Sequence, residues 1–129
     1  MTASAALLRA YRMTRYAIGE TELRIGRRSQ AADTLLRTLR QQHGILLTAW
    51  NPRSRRMPDG WNVRMQHRLR SHLRRCLVLA ADGRWRRWRE AHLCVLSSPR
   101  PCLRLAHRFR QRAIVVLTLG QPVRLMVLG

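Results

Sequence analysis

The feature that most constrains the fold of this chain is an uninterrupted apolar run that stops at a proline. Residues 45–50, Ile-Leu-Leu-Thr-Ala-Trp, show no polar alternation, which is typical of a strand buried on both faces. Asn51-Pro52 ends the strand, because proline has no N–H for a sheet and disfavours helix in the residue before it. The run predicts a central strand that carries polar side chains at its carboxyl end, a common position for a site.

Helices and shorter strands are predicted on both sides of this strand. Residues 1–10 are predicted as a short N-terminal helix and residues 14–25 as a hairpin. A helix capped by Ser29 is expected to stop at Gly44. Further on, the patterns predict a helix over 59–75, strands at 76–80, 92–96, 113–118 and 123–128, a turn at Asp82-Gly83 and a helix from Pro99.

This irregular order of strands and helices predicts the fold class. We expect an α+β or α/β domain that contains a single mixed β-sheet with about three helices packed on it. The 129 residues contain no linker and no internal repeat, so residues 1–129 are expected to form one domain.

The charge of the chain is strongly one-sided. Its 26 basic residues are all arginine, and six acidic residues leave a formal net charge of +20. A coding bias explains arginine in place of lysine but not the shortage of acids. The excess is compatible with a solvated arginine surface, with a nucleic-acid or other polyanionic partner, or with a role at a membrane surface.

Cysteine usage and hydropathy indicate the compartment. Cys76, Cys94 and Cys102 are odd in number and form no C-x-x-C pair, which argues against a disulfide framework or a zinc site. No window has the length of a membrane span, and the N-terminal apolar run is too short for a secretory signal. We therefore expect a cytoplasmic protein with no metal and no cofactor.

Four short motifs occur in order along the chain. They are Thr48-Ala-Trp-Asn-Pro52 with Ser54, then Asn62, then Trp88-x-Glu90, then Phe109-x-Gln111-x-Ala113. Together they resemble the signatures of a small bacterial family known as domain of unknown function 3293. The resemblance runs from about residue 11 to residue 128. It implies kinship but no activity, because the family has none assigned.

The chain departs from that family pattern at two places. Relatives usually carry Pro-Ser after the residue that matches Glu90, whereas this chain has Ala91-His92. Relatives usually carry glycine at the position of Arg110. If the missing serine acts in catalysis in the relatives, the resemblance implies that this chain is impaired.

The polar members of the motifs are the candidate ligand-binding residues. The set, with the adjoining Trp50 and Arg53, is Thr48, Trp50, Asn51, Arg53, Ser54, Asn62, Glu90 and Gln111. One interpretation is a shared pocket at the strand end, with the loop arginines and a helix N-terminus attracting an anion. The alternative is purely structural, since small polar residues beside proline commonly tie down turns through backbone hydrogen bonds.

Two further features allow two interpretations each. Glu90 is either an ion-pair partner of the surrounding arginines or an acid/base catalyst with His92, which shares its strand face.

Trp85 and Trp88 are interleaved with arginine. They are suited either to stacking on unpaired bases or to covering the core with their rings, beside the arginine stems. No glycine-rich phosphate loop, nucleophile elbow or H-E-x-x-H motif is present.

The sequence thus favours a small cytosolic binding protein with an anionic-ligand pocket at the 48–54 loop. The alternative is a nucleic-acid-associated protein that binds through its arginine-rich surface. A third hypothesis is an enzyme that uses Glu90 as an acid or base, although a non-enzymatic role is favoured.

Overall fold

The computed structural model describes residues 4–128 and contains one seven-stranded sheet with four helices. In chain order the elements are α1 Ala5–Met13, β1 Arg15–Ile18, β2 Thr21–Leu23, α2 Gln30–Thr38, β3 His43–Leu47, α3 Asp59–Ser71, β4 Val78–Trp85, β5 Trp88–Val95, α4 Pro99–Arg108, β6 Ala113–Thr118 and β7 Arg124–Val127. The strands lie side by side in the order β2-β1-β4-β5-β3-β6-β7.

Every strand pair among the described residues is antiparallel. The α+β class is therefore confirmed, whereas the expected mixed sheet is wrong, and the helices number four instead of about three. The apolar run of β3 suggested parallel strands, because strands of parallel sheets are usually apolar on both faces. Here β3 is apolar on both faces because helices cover both sides of an antiparallel sheet.

The core has two layers, one on each face of the sheet. On one face, Ile45 and Leu47 of β3 pack with side chains from α3 and α4, including Leu69 and Ala106. On the other face, Leu46 packs with β1 and with α2, whose contacting residues are Ala32 and Leu36. Helix α1 lies on this second face but has no buried residue. That gap in the packing becomes important for the site.

Two glycines that the sequence assigned to turns and ends belong to strands instead. Gly44 does not stop α2, because it lies inside β3, where a Cβ atom would come within 3.3 Å of the Cys94 sulfur. Gly83 is not a turn residue, because it pairs with Tyr16 across β1 and β4. A Cβ on Gly83 would lie 3.1 Å from the Tyr16 ring, so the ring occupies the space that a side chain would need.

The two helices α2 and α4 end with arginine in a conformation that favours glycine. Arg40 follows α2 with φ 55° and Arg110 follows α4 with φ 58°. In α4 the backbone N–H of Gln111 then donates to the Ala106 carbonyl at 2.9 Å, the hydrogen bond of a Schellman-type ending. The left-handed conformation at Arg110 explains why glycine suits this position.

The hairpin between β4 and β5 is the longest strand pairing, with eight residue pairs from Val78↔Val95 to Trp85↔Trp88. Its two-residue connection is Arg86-Arg87, with Arg86 at φ 57°. The sequence did not predict this hairpin, because short hairpin turns usually have Asn or Gly at such a position.

Candidate functional site

The site is a cavity of about 410 Å³ between α1 and the sheet face that α2 covers only in part. Helix α1 contributes Leu7, Ala10 and Tyr11 as its roof. The floor is made by strands β1, β4, β5, β3 and β6, and the loop after β3 closes one end. The volume lies within the range of small-molecule sites in proteins, about 300–1,000 Å³.

The loop after β3 leaves the sheet earlier than its apolar character suggests. The strand ends at Leu47, not at Trp50, because the next backbone groups bind side chains. The Ala49 N–H donates to Gln66 Oε1 at 2.8 Å and the Trp50 N–H to Thr48 Oγ1 at 3.0 Å. The Thr48 hydroxyl itself donates to the Ala91 carbonyl at 2.6 Å. Gln66 and Thr48 thus fix the exit of the chain from the sheet.

Asn51 and Asn62 form a reciprocal pair beneath the loop. The Asn51 N–H donates to Asn62 Oδ1 at 2.9 Å, and Asn62 Nδ2 donates to Asn51 Oδ1 at 2.9 Å. Asn51 Oδ1 also accepts from the Met57 N–H at 2.9 Å. With both residues at most 5% exposed, these bonds replace water that the buried amides have lost.

Asn51 also reaches the cavity and orients its carboxylate. Asn51 Nδ2 donates to Glu90 Oε2 at 2.9 Å. Burial raises the pKa of Glu90, while hydrogen bonds from the Asn51 and Trp88 side chains act in the opposite direction. The carboxyl is therefore desolvated but held by the Asn51 amide, which orients it beside the cavity that it lines.

The loop itself has an unusual backbone. Three non-glycine residues within four positions, Asn51, Arg53 and Ser54, have φ between 47° and 59°. Such conformations cost of the order of 1 kcal/mol each and persist only where surrounding bonds over-determine them. Here the Arg53 N–H donates to the Arg110 carbonyl at 2.7 Å, and Gln111 Nε2 donates to the Trp50 carbonyl at 3.2 Å. Backbone strain of this kind concentrates at functional sites.

Ser54 meets Tyr11 of the roof at the same end of the cavity. Both side chains line the cavity, and burial raises the pKa of the Tyr11 phenol, whereas Ser54 acts on this pKa in the opposite direction. The negative charge of Glu90 raises this pKa further, whereas Arg112 lowers it. The phenol therefore stays protonated and remains a hydrogen-bond donor near Glu90.

His92 lies on the same face of β5 as Glu90, as the sequence predicted. Burial lowers the pKa of His92 to about 4, so the ring is neutral near pH 7. Its Nδ1 lies 3.2 Å from the Glu90 carbonyl, and its ring meets Tyr16 edge-to-face at 5.7 Å. Burial also raises the pKa of Tyr16. These two aromatic rings supply a wall of the cavity and no charge.

The end of the β4–β5 hairpin contributes two tryptophans to the cavity wall. Trp85 and Trp88 face each other across the hairpin end and both line the cavity. The guanidinium of Arg86 lies 4.7 Å from the centre of a Trp85 ring, within the range of a cation–π contact. Trp88 remains 38% exposed, so this end lies at the surface.

A second, strongly basic cleft adjoins the cavity. It measures about 300 Å³ and is lined by Arg53, His107, Arg108, Arg110, Gln111, Arg112 and Leu128. Gln111 lines both the cleft and the cavity. The buried Nε of Arg112 has no hydrogen-bond partner within the described chain. We call this feature the arginine cleft.

The structure brings most of the predicted ligand-binding residues to one place. Thr48, Asn51, Ser54, Glu90 and Gln111 line the cavity. The other three lie elsewhere: Asn62 is buried behind Asn51, Arg53 lines the arginine cleft and Trp50 lines a shallow opening with Asp82 and Arg89. Arg55 and Arg56 are exposed.

Sequence reasoning missed Tyr11, Tyr16 and Gln66. The signal for Gln66 was present, because Asn62, Gln66 and Leu69 share one stripe of α3 at steps of four and three. Two amides on the inner face of a helix imply buried hydrogen-bond partners. Tyr11 and Tyr16 gave no comparable signal, because a single aromatic residue in a short element is equally suited to a core.

The part of the chain that the structure describes shows neither a metal site nor a membrane-spanning helix. Within residues 4–128, no three side chains of His, Cys, Asp or Glu come together as metal ligands. All three cysteines are free. No helix in this part of the chain is long and apolar enough to cross a membrane.

The comparison with known proteins found a match to a family model. A family model described as "Protein of unknown function (DUF3293)" matches residues 47–114, slightly more than half of the chain. The matched segment runs from the end of β3 to the start of β6 and includes Asn51, Asn62, Glu90 and Gln111. No curated protein and no solved structure matches the chain significantly.

Proposed function

Because this chain belongs to the DUF3293 family, which has no assigned function, we propose a function from the site itself. The protein is a small cytosolic binding protein whose ligand occupies the cavity at the 48–54 loop and carries an anionic group. The observation that carries the proposal is the strained loop, which has the polar end of the cavity on one side and the arginine cleft on the other.

The anionic group is assigned to the arginine cleft for reasons of charge. Five of the seven residues that line the cleft are basic, and four of these are arginines, which are permanently charged. Arginine presents a planar set of donors that matches phosphate and carboxylate oxygens. The unpartnered Nε of Arg112 supplies a donor that an anion would satisfy. The net charge of +20 adds a field that attracts anions to any such cleft.

The experiment measures the thermal unfolding temperature of the protein at increasing concentrations of pyrophosphate and constant ionic strength. We expect saturable stabilisation of the wild-type protein and a marked loss of that effect in Arg53→Gln. Arg55→Gln removes the same charge from the same loop at an exposed position and serves as the matched control. Equal effects of the two variants, or stabilisation that never saturates, would mean that pyrophosphate acts only through the overall charge.

Nucleic-acid binding is a second candidate, supported by the exposure of most of the arginines. In this case the affinity comes from phosphate contacts spread over the surface, and the cavity plays no part. A third candidate is acid–base catalysis by Glu90, with His92 as a neutral neighbour. It is supported by the desolvation that raises the pKa of Glu90, a common property of catalytic carboxyl groups.

A further inference from the structure

The walls of the cavity select for a flat aromatic ligand. Four large aromatic side chains line it, Tyr11, Tyr16, Trp85 and Trp88, together with aliphatic side chains of α1, β3, β6 and β7. Aromatic faces of this kind stack with planar rings in offset or edge-to-face arrangements. Stacking of a nucleobase on such a residue strengthens binding whichever base is present, because every base has a π-face.

Several polar groups of the cavity already have partners. The Thr48 hydroxyl donates to the Ala91 carbonyl, and the Gln111 amide donates to the Trp50 and Phe109 carbonyls. Glu90 is the one carboxylate among the residues that line the cavity. The Asn51 amide donates one hydrogen bond to it, whereas a carboxylate has about four acceptor positions. It therefore has capacity left for a ligand that donates.

A carboxylate recognises two parallel N–H groups on one edge of a ring. Among the common bases, guanine alone offers a ring N–H next to an exocyclic amine. Adenine and cytosine place an acceptor beside their amine, and uracil flanks its N–H with two carbonyl oxygens, which repel a carboxylate. Glu90 thus favours a guanine-type edge over the others.

We propose that the cavity binds a guanine nucleotide, with the base between the aromatic walls and its N–H edge on Glu90. This inference rests on the function proposed above, because the phosphate is the anionic group assigned to the arginine cleft. The two compartments are neighbours: Ser54 of the cavity follows Arg53 of the cleft, Gln111 lines both, and the charge of Arg112 acts on Tyr11.

The test is a set of ligand titrations in which binding is measured by tryptophan fluorescence and by calorimetry. The ligands are guanosine monophosphate, guanosine, adenosine monophosphate and ribose 5-phosphate. We expect both guanosine compounds to bind, the monophosphate more tightly than the nucleoside. Adenosine monophosphate should bind more weakly than guanosine monophosphate by at least about tenfold. Glu90→Gln replaces one acceptor oxygen with a donor of the same size and should weaken guanosine binding about tenfold or more.

Trp88→Leu, at a partly exposed position, provides a second variant that should fold and bind the base more weakly. Arg55→Gln is the control and should leave guanosine binding unchanged. The unfolding temperature of each variant establishes that it is folded before its binding is interpreted.

The outcomes separate the two proposals. If ribose 5-phosphate binds with the same affinity as guanosine monophosphate, the base site is overturned and the anion site remains. Guanosine binding as tightly as its monophosphate would overturn the anion site and support the base site. Equal binding of adenosine and guanosine monophosphates, or binding unaffected by Glu90→Gln, would overturn the role of Glu90. A single-stranded tetranucleotide with one guanine identifies the source: tighter binding than the monophosphate indicates RNA, and weaker binding a free nucleotide.

Discussion

The Asn51 side chain connects the loop to three other groups. It joins the Met57 N–H, Asn62 and Glu90, while the Asn51 backbone adopts a left-handed conformation that asparagine tolerates better than most residues. The same side chain therefore fixes the turn and orients the carboxylate of the cavity. The structural and the ligand-binding interpretations of this residue are compatible.

Replacing Asn51 separates these contributions. Asn51→Ala leaves buried Asn62 and Glu90 groups unpaired and should lower the free energy of unfolding by about 2–4 kcal/mol. Asn51→Gly loses the same bonds but accepts the left-handed backbone, so it should cost about 1 kcal/mol less than Asn51→Ala. Urea unfolding of both variants measures the difference, with exposed Gln30→Ala as the control. If alanine and glycine cost the same, the backbone strain is not real.

Glu90 should make stability depend on pH. Folding raises its pKa, so the contribution of the protonated carboxyl is fully present below the unfolded value, about 4.3, and is lost as the pH rises through the folded value. Glu90→Gln stays neutral throughout. The variant should therefore gain stability relative to the wild type between pH 4 and pH 8, measured by urea unfolding at each pH. A difference independent of pH, or the same trend in exposed Glu22→Gln, would contradict a desolvated carboxyl.

Arg110 holds a conformation in which glycine is the better residue. Arg110→Gly should raise the free energy of unfolding by about 1 kcal/mol, because it removes the penalty of a left-handed side-chain-bearing residue. Arg104→Gly, at an exposed position inside α4, should instead lower it by about 1 kcal/mol. Thermal or urea unfolding checks both signs. Destabilisation by Arg110→Gly would show that contacts of its side chain outweigh the strain.

At the scale of elements, the apolar strands β3 and β6 form the centre of stability. Leu47 is 1% exposed and Val115 is 3% exposed, on opposite faces of the sheet. Leu47→Ala should lower the free energy of unfolding by about 2–4 kcal/mol, and Val115→Ala by less because fewer atoms are removed. Val63→Ala, at a position 44% exposed, should change it by no more than about 0.5 kcal/mol. Losses at Leu47 and Val115 as small as at Val63 would contradict the two-layer core.

The elements also show how far sequence reasoning reaches. The first hairpin, the cap of α2 at Ser29 and the start of α4 at Pro99 were predicted because capping and turn chemistry are local. The β4–β5 hairpin was missed because its turn is Arg86-Arg87, and Gly83 was taken for a turn because the packing of Tyr16 on it is not local. The polar motifs located one end of the cavity. Its roof and aromatic walls come from residues more than 30 positions away from that loop, so periodicity could not identify them.

At the scale of the whole molecule, charge is poorly compensated. Within the described residues, salt bridges involve only Asp33 and Asp82, which leaves most arginines without an acidic partner. Mutual repulsion of the same-sign charges therefore opposes the compact state, and any polyanion relieves it.

This balance predicts general nucleic-acid binding with a characteristic salt dependence. At low salt we expect the protein to bind RNA and DNA with little sequence preference, and to lose affinity steeply as salt rises, because binding releases counterions. Fluorescence anisotropy over a range of salt concentrations gives the slope. Tight binding of one sequence above physiological salt would favour nucleic acid as the partner, and absence of binding even at low salt would exclude it.

The strand order has a consequence for how the protein is made. The central strand β3, at residues 43–47, has β5 and β6 as its neighbours, and these strands end only at residues 95 and 118. During synthesis β3 therefore emerges from the ribosome long before either neighbour exists to pair with it. Because strand pairing must wait for distant segments, β3 has no neighbour until β5 is complete at residue 95, and it lacks its second neighbour until β6 is complete at residue 118. The many arginines on either side of this strand repel those of other nascent chains and so oppose aggregation during that interval.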